Sequence, residues 1–135
     1  MSIAVTMKCM TTSASPRPTS PREIAELYFA SWAAGDPEPL REFLSPTVTF
    51  DGALGSTRGP DEFLAGLAGM FAATTANEVR LRLADDADVV TWSELHIAGG
   101  PPMQVANWTH VVDGLIAAVR VTFDPRPMLS GDAGQ

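Results

Sequence analysis

Apolar residues recur at helical spacing in the first half of the chain and alternate with polar ones through the second. Ile24, Leu27, Tyr28, Ser31 and Trp32 fall on one stripe of a 3.6-residue repeat. Before them, Ser20-Pro21-Arg22-Glu23 has the form of a capping box with proline at the first helical position. Gly35-Asp36 ends this helix. Pro37 and Pro39 suit only a first turn, so Leu40, Phe43 and Leu44 predict a short second helix, stopped by Ser45-Pro46. A short strand is predicted over 47–51 and a loop over 52–58. Gly59-Pro60-Asp61-Glu62 opens a third helix, its early acids matched to the helix dipole, with a stripe of Phe63, Leu64, Leu67, Met70 and Phe71.

The remainder reads as strand. From Glu78 to Leu83, charged Glu78, Arg80 and Arg82 alternate with apolar Val79, Leu81 and Leu83, which predicts one packed face and one wet or partner-facing face. Asp85-Asp86-Ala87-Asp88 is a turn. Two long strands, 89–98 and 103–112, are joined across Gly99-Gly100-Pro101-Pro102. Asp113-Gly114 is a hairpin signal leading into a last strand over 115–124. Helices first and a meander afterwards define an α+β domain whose sheet curls over the helices.

A chain of 135 residues holds one domain. Residues 1–20, rich in Ser, Thr and Pro, read as a flexible tail, 21–125 as the domain, and 126–135 as a C-terminal tail. Nine Lys+Arg against 16 Asp+Glu give a net charge of −7, which argues against nucleic acid or an anionic membrane as partner. The lone cysteine, Cys9, excludes an internal disulfide or a multi-cysteine metal site. No apolar run reaches the ~18–20 residues that cross a bilayer, and no signal-peptide core precedes the domain, so the expectation is a cytoplasmic protein.

Several segments together resemble the nuclear-transport-factor-2-like superfamily, in particular its SnoaL-like and ketosteroid-isomerase-like branches. They are Leu27 through Asp36, the stretch from Phe43 to Asp51, Gly59-Pro60-Asp61-Glu62-Phe63, and Asp113-Gly114 with Phe123-Asp124. The resemblance implies a cystatin-like cone, with three N-terminal helices packed in a curved, mostly antiparallel sheet around one apolar pocket. It further implies a homodimer formed through the outer sheet face, and a pocket that takes a small apolar molecule without a cofactor. The fold hosts enzymes and non-enzymes alike, so function has to be argued from the site.

Within that resemblance Tyr28 matches the tyrosine that donates a hydrogen bond to a developing enolate oxygen, and Asp51 falls within one residue of the proton-shuttling aspartate. A carboxylate at the mouth of an apolar pocket serves as a general base because desolvation raises its pKa; ketosteroid isomerase is a standard worked case of that logic. The plainer alternatives are a packed tyrosine with one hydroxyl partner and an aspartate capping a turn. Thr109 stands where the isomerases carry a protonated aspartate, so the resemblance supports steroid isomerisation only in half; Val121 near the last-strand aspartate of aldol-type cyclases, and Asn107-Trp108-Thr109 where the epoxide hydrolases carry Arg-x-Asp, disfavour those two chemistries.

The resemblance points Trp92, Glu94 and His96 inward with Asn107 and Thr109, and Trp108 and His110 outward. Asp51, Glu94 and His96 then make a polar patch in a pocket walled by Trp32, Phe63, Leu67, Val119 and Phe123. His96 or Asn107 would orient the substrate, unless His96 is exposed and idle. No metal site is expected, because that register puts His96 and His110 on opposite faces and the Asp85–Asp88 turn lacks calcium-loop spacing. Two readings follow. One is an isomerase or cyclase acting on a polyketide-, terpenoid- or steroid-like substrate by proton transfer. The other is a non-catalytic ligand-binding or assembly module. Convergence of the Tyr28 hydroxyl and Asp51 on one open cavity would favour the first; their lying on separate surfaces would favour the second.

Overall fold

The computed structural model describes residues 20–129. The N-terminal tail up to Thr19, Cys9 included, and the C-terminal residues from Ser130 lie outside the described residues. Helix α1 (Pro21–Ala34) starts at the capping box: the Glu23 N–H donates to Ser20 Oγ at 3.1 Å, and the Ser20 N–H donates to the Glu23 carboxylate at 3.2 Å. It ends at Gly35, whose φ of 70° is left-handed and whose N–H donates to the carbonyls of Ser31 and Trp32. The prolines reduce the second helix to a 3-10 turn over Glu38–Phe43, still burying Leu40 and Phe43. Then come β1 (Leu44–Gly52), β2 (Gly55–Arg58), α2 (Pro60–Ala73), β3 (Ala76–Ala84), β4 (Asp88–His96), β5 (Met103–Val112), β6 (Leu115–Thr122) and a four-residue helix, α3 (Arg126–Leu129).

The six strands form one sheet in the order β2-β1-β6-β5-β4-β3. Only β1 and β6 run parallel; the other neighbours are antiparallel. Asp113 (φ 53°) and Gly114 (φ 79°) form the β5–β6 turn, both in the left-handed region that a two-residue hairpin of this kind demands. Residues 52–58, expected as a loop, are instead a hairpin in which β2 pairs with the end of β1. That strand is short and polar, so no alternation announces it.

Helices α1 and α2 pack against the inner face of the curved sheet. Ile24, Tyr28, Phe29, Leu40, Val48, Phe63, Leu64, Ile116 and Val119 make the main buried cluster, and Leu95, Met103 and Val105 a second one. On β4 the inner face carries Val89, Thr91, Ser93 and Leu95; on β5 it carries Met103, Val105, Asn107, Thr109 and Val111.

The alternation expected on β3 is broken by a bulge between Val79 and Leu81. Asn77 and Val79 oppose inner-face Leu95 and Ser93; beyond the bulge Arg82 opposes inner-face Thr91, while Leu81 and Leu83 oppose outer-face Trp92 and Val90. An extra residue shifts the parity, so the charged Arg82 turns inward and two leucines turn outward. The Arg82 guanidinium lies over the Phe29 ring at 4.9 Å, and its Nε donates to Thr91 Oγ1 at 3.0 Å.

Candidate ligand-binding site

Between α1, α2, the β1–β2 hairpin and the inner sheet face lies a cavity of about 480 Å³. Tyr28, Phe29 and Trp32 enter it from α1, Phe63, Leu67 and Met70 from α2, and Phe50 from β1. The sheet supplies Leu95, Val105, Asn107, Val121 and Phe123, and α3 adds Met128. Its space exists partly because α2 presents Gly66, Gly69 and Ala73 to it. A Cβ built on Gly69 meets nothing within 4 Å. Trp32 does not plug the cavity: its indole N–H donates to Thr74 Oγ1 at 3.0 Å, which ties the ring to the end of α2.

Tyr28 is almost completely buried and stacks on Phe29 with ring centroids 5.3 Å apart, while Phe63 meets it edge-on at 5.9 Å. The Asn107 side chain lies beside its hydroxyl. Thr109 Oγ1 donates to Asn107 Oδ1 at 2.8 Å, leaving the amide N–H₂ as the group that meets the tyrosine oxygen. Tyr28 lines the cavity, and its O–H is a hydrogen-bond donor available to a ligand there. Burial holds the hydroxyl well above the ordinary tyrosine range, and the Asn107 side chain only partly opposes that. At neutral pH Tyr28 is an un-ionised donor.

The structure separates the other expected site residues. Trp32, Phe63, Leu67, Val121 and Phe123 line the cavity; Thr109 and Val119 are buried behind its wall. Asp51 does not face it. Phe50 opposes inner-face Val119, so the next residue points to the outer side, where Asp51 opposes Arg120 and accepts from Ser56 Oγ at 2.8 Å. Trp92, Glu94 and His96 are likewise on the outer face, contrary to expectation. Thr91 pairs with Asn107 and Trp92 with Ala106; paired residues share a face, so Asn107 and Trp92 cannot both point inward. The small Thr91 and Ser93 fit the crowded interior, and the bulky indole goes out.

His96 and His110 therefore share the outer face, but they sit beside opposite ends of β4. Eight residues of strand put those ends about 27 Å apart, too far for one ion. Among the described residues one group has metal-ligand spacing, Glu78, Glu94 and His96, with ligand atoms within 4.8 Å of one another. Arg80 already supplies positive charge there, 3.0 Å from Glu78 and 2.8 Å from Glu94, and holds the Glu94 carboxyl below its ordinary range.

The sequence reading missed Phe50, Met70, Asn77 and Met128 as cavity residues. Helical periodicity had placed Met70 on the core stripe, which gave its side. Asn77 lies just before the strand read from Glu78, and nothing local marks Met128, whose position depends on the turn after Asp124.

The fold is thus an α+β cone around an apolar hollow with a hydroxyl donor in its wall, the architecture of nuclear-transport-factor-2-like proteins. The SnoaL-like domain family matches residues 25–119, and the chain belongs to that family. A protein from Kribbella flavida DSM 17836 has a similar crystal structure (TM-score 0.78, 19% identity, 87% of this chain and 97% of that one). So does an NTF2-like protein of unknown function from Cytophaga hutchinsonii ATCC 33406 (TM-score 0.72, 18% identity, covering 84% and 98%). A steroid delta-isomerase from Pseudomonas aeruginosa is also similar (TM-score 0.68, 16% identity, covering 77% and 79%). At these identities the likeness is one of fold. No curated protein matches the chain in sequence. No helix among the described residues is long and apolar enough to cross a membrane.

Proposed function

We propose that this protein binds a small, neutral, largely apolar molecule through a carbonyl oxygen and releases it unchanged. The observation that carries this is the make-up of the cavity wall: among the described residues its lining includes no carboxylate, imidazole, lysine or arginine, and the one ionisable side chain is the un-ionised Tyr28. Cofactor-free isomerisation needs a group that takes and returns a proton near neutral pH within hydrogen-bond reach of the substrate. Asp51, the residue suited to that task, faces the other side of the sheet. The volume falls in the ~300–1,000 Å³ range of small-molecule sites, and apolar walls with few polar groups suit burial of a hydrocarbon skeleton. A charged ligand would find no counter-ion there among the described residues.

The test uses a cyclic ketone deuterated beside its carbonyl. Calorimetry should show binding, and mass spectrometry should show the deuterium retained at the buffer rate. Accelerated wash-out that is lost in Asp51→Asn would overturn the binding reading and return the chain to the isomerases.

A second reading, homodimerisation, is supported by the outer face. Leu81, Leu83, Val90, Trp92, Trp108 and Val112 are all large, apolar and exposed on β3 to β5. A patch of that kind marks an interaction surface. Beside the projecting indoles lies a hollow of about 280 Å³ lined by Asp88, Trp108, His110, Ala118 and Arg120. Knobs and a hollow on one face are what two copies related by a two-fold axis supply to each other. Sedimentation should give a dimer for the native chain and a monomer for the double variant Leu81→Glu, Leu83→Glu; a monomeric native chain removes this reading.

A further inference from the structure

The polar side chains of the cavity offer a ligand hydrogens rather than oxygens. Among the described residues the lining carries two carboxamides, Asn77 and Asn107; the oxygen of one is covered and that of the other engaged. Asn107 Oδ1 accepts from Thr109 Oγ1 at 2.8 Å. Asn77, near the start of β3, opposes inner-face Leu95, and its Oδ1 is buried. The end of the Asn77 amide that a ligand can reach is therefore its N–H₂, a donor. The other polar groups of the lining are taken or covered. The Trp32 indole N–H donates to Thr74, the Ser56 hydroxyl donates to Asp51, and Thr57 Oγ1 is buried. Two side-chain donors remain for a ligand at separate places, the Tyr28 O–H and the Asn77 N–H₂.

Asn107, beside the Tyr28 hydroxyl, opposes Thr91, and Asn77 opposes Leu95, so the two positions are two strands apart and four residues along. On a flat sheet that is about 16 Å between Cα atoms, the span of an elongated molecule rather than of one functional group. We infer that the ligand carries a second acceptor oxygen, of a ketone, ester or ether, at the end remote from its first carbonyl, and that the Asn77 N–H₂ selects for it. This rests on the binding reading above and extends it: the site takes a molecule with an acceptor at each end and no hydroxyl or N–H at the Asn77 end. An acceptor placed there exchanges water for a protein donor. A hydroxyl brings in an O–H that meets no free side-chain oxygen, and a buried donor left unpaired cancels what its oxygen gains.

The experiment is a calorimetric length series of straight-chain 2-alkanones, run beside chains of matched length that end in a methyl ester and chains that end in a hydroxyl, on the native protein and on Asn77→Leu. At one chain length the ester should tighten binding about tenfold over the plain ketone, the yield of one well-placed hydrogen bond. The hydroxyl compound should show no gain at any length. In Asn77→Leu the ester's gain should vanish while plain ketones bind as before. An ester gain at no length, a hydroxyl gain equal to or larger than the ester's, or an ester gain that survives Asn77→Leu overturns the inference and leaves ketone binding standing. Should Asn77→Leu fail to fold, the ester–hydroxyl contrast on the native protein decides alone. If no ketone of any length binds the native protein, the binding reading falls and this inference with it.

Discussion

Replacing Tyr28 by phenylalanine removes one oxygen and little else. The ring keeps its contacts with Phe29, Trp32 and Phe63, whose centroids lie 5.3, 6.4 and 5.9 Å away. What is lost in the empty protein is a buried hydroxyl beside the Asn107 side chain, which keeps Thr109 as its partner. A polar contact of this kind is worth at most about 1 kcal/mol net, so the melting temperature should fall by no more than about 4 °C for a chain of this size. With ligand bound, the variant also loses the donor to the carbonyl. Another ~1–1.5 kcal/mol corresponds to a loss of about 5–15-fold in affinity for a ketone. A hydrocarbon with the same skeleton should bind both proteins equally. Quenching of tryptophan fluorescence reads this out selectively, because Trp32 lines the cavity while Trp92 and Trp108 are on the outer face. If the ketone-to-hydrocarbon affinity ratio is the same in Tyr28→Phe as in the native protein, the hydroxyl is not the anchor.

Two further outcomes are open to measurement. Tyr28 is the only tyrosine, so phenolate absorbance reports on it alone. Its folded pKa is raised by burial, and so the stability it contributes is complete below the ordinary tyrosine value of about 10 and is lost as the pH climbs above it. The absorbance should therefore rise only together with alkaline unfolding, and Tyr28→Phe should extend the alkaline limit; a phenolate signal from still-folded protein contradicts the burial argument. At Gly69, where an added Cβ meets open space, alanine should stabilise the protein by up to about 1 kcal/mol through helix propensity. Leucine there should fold normally yet block ketone binding, and unchanged affinity would show that the ligand sits elsewhere.

The parts of the fold that were legible in the sequence are those set by local chemistry. Ser20 and Glu23 begin α1, Gly35 ends it, and Asp113-Gly114 turns β5 into β6, each because a specific donor, acceptor or φ angle is needed at that residue. The facing of the strands was not legible. Inside–outside alternation identifies the core only when the other face is polar, and here the outer face holds Leu81, Leu83, Val90, Trp92 and Trp108. With bulky apolar residues on both sides of β4, parity alone does not choose, and the inward assignment of Trp92, Glu94 and His96 failed. Asp51 missed the cavity by one residue, which in a strand means the opposite face. Arg82 turned inward because of a bulge, and no residue type in Val79-Arg80-Leu81 announces one.

The parallel pairing of β1 with β6 has a consequence for how the protein is made. Phe50 on β1 finds its partner Val119 only after most of the chain has been synthesised, and Val121 and Phe123, two walls of the hollow, come later still. During translation the helices and the first hairpin wait with their greasy sides uncovered, a long-range closure that slows folding and invites aggregation. The hollow is thus closed only once β6 and the residues after it have been made. A lesion in the final strand will strike ligand capture and solubility in the cell together.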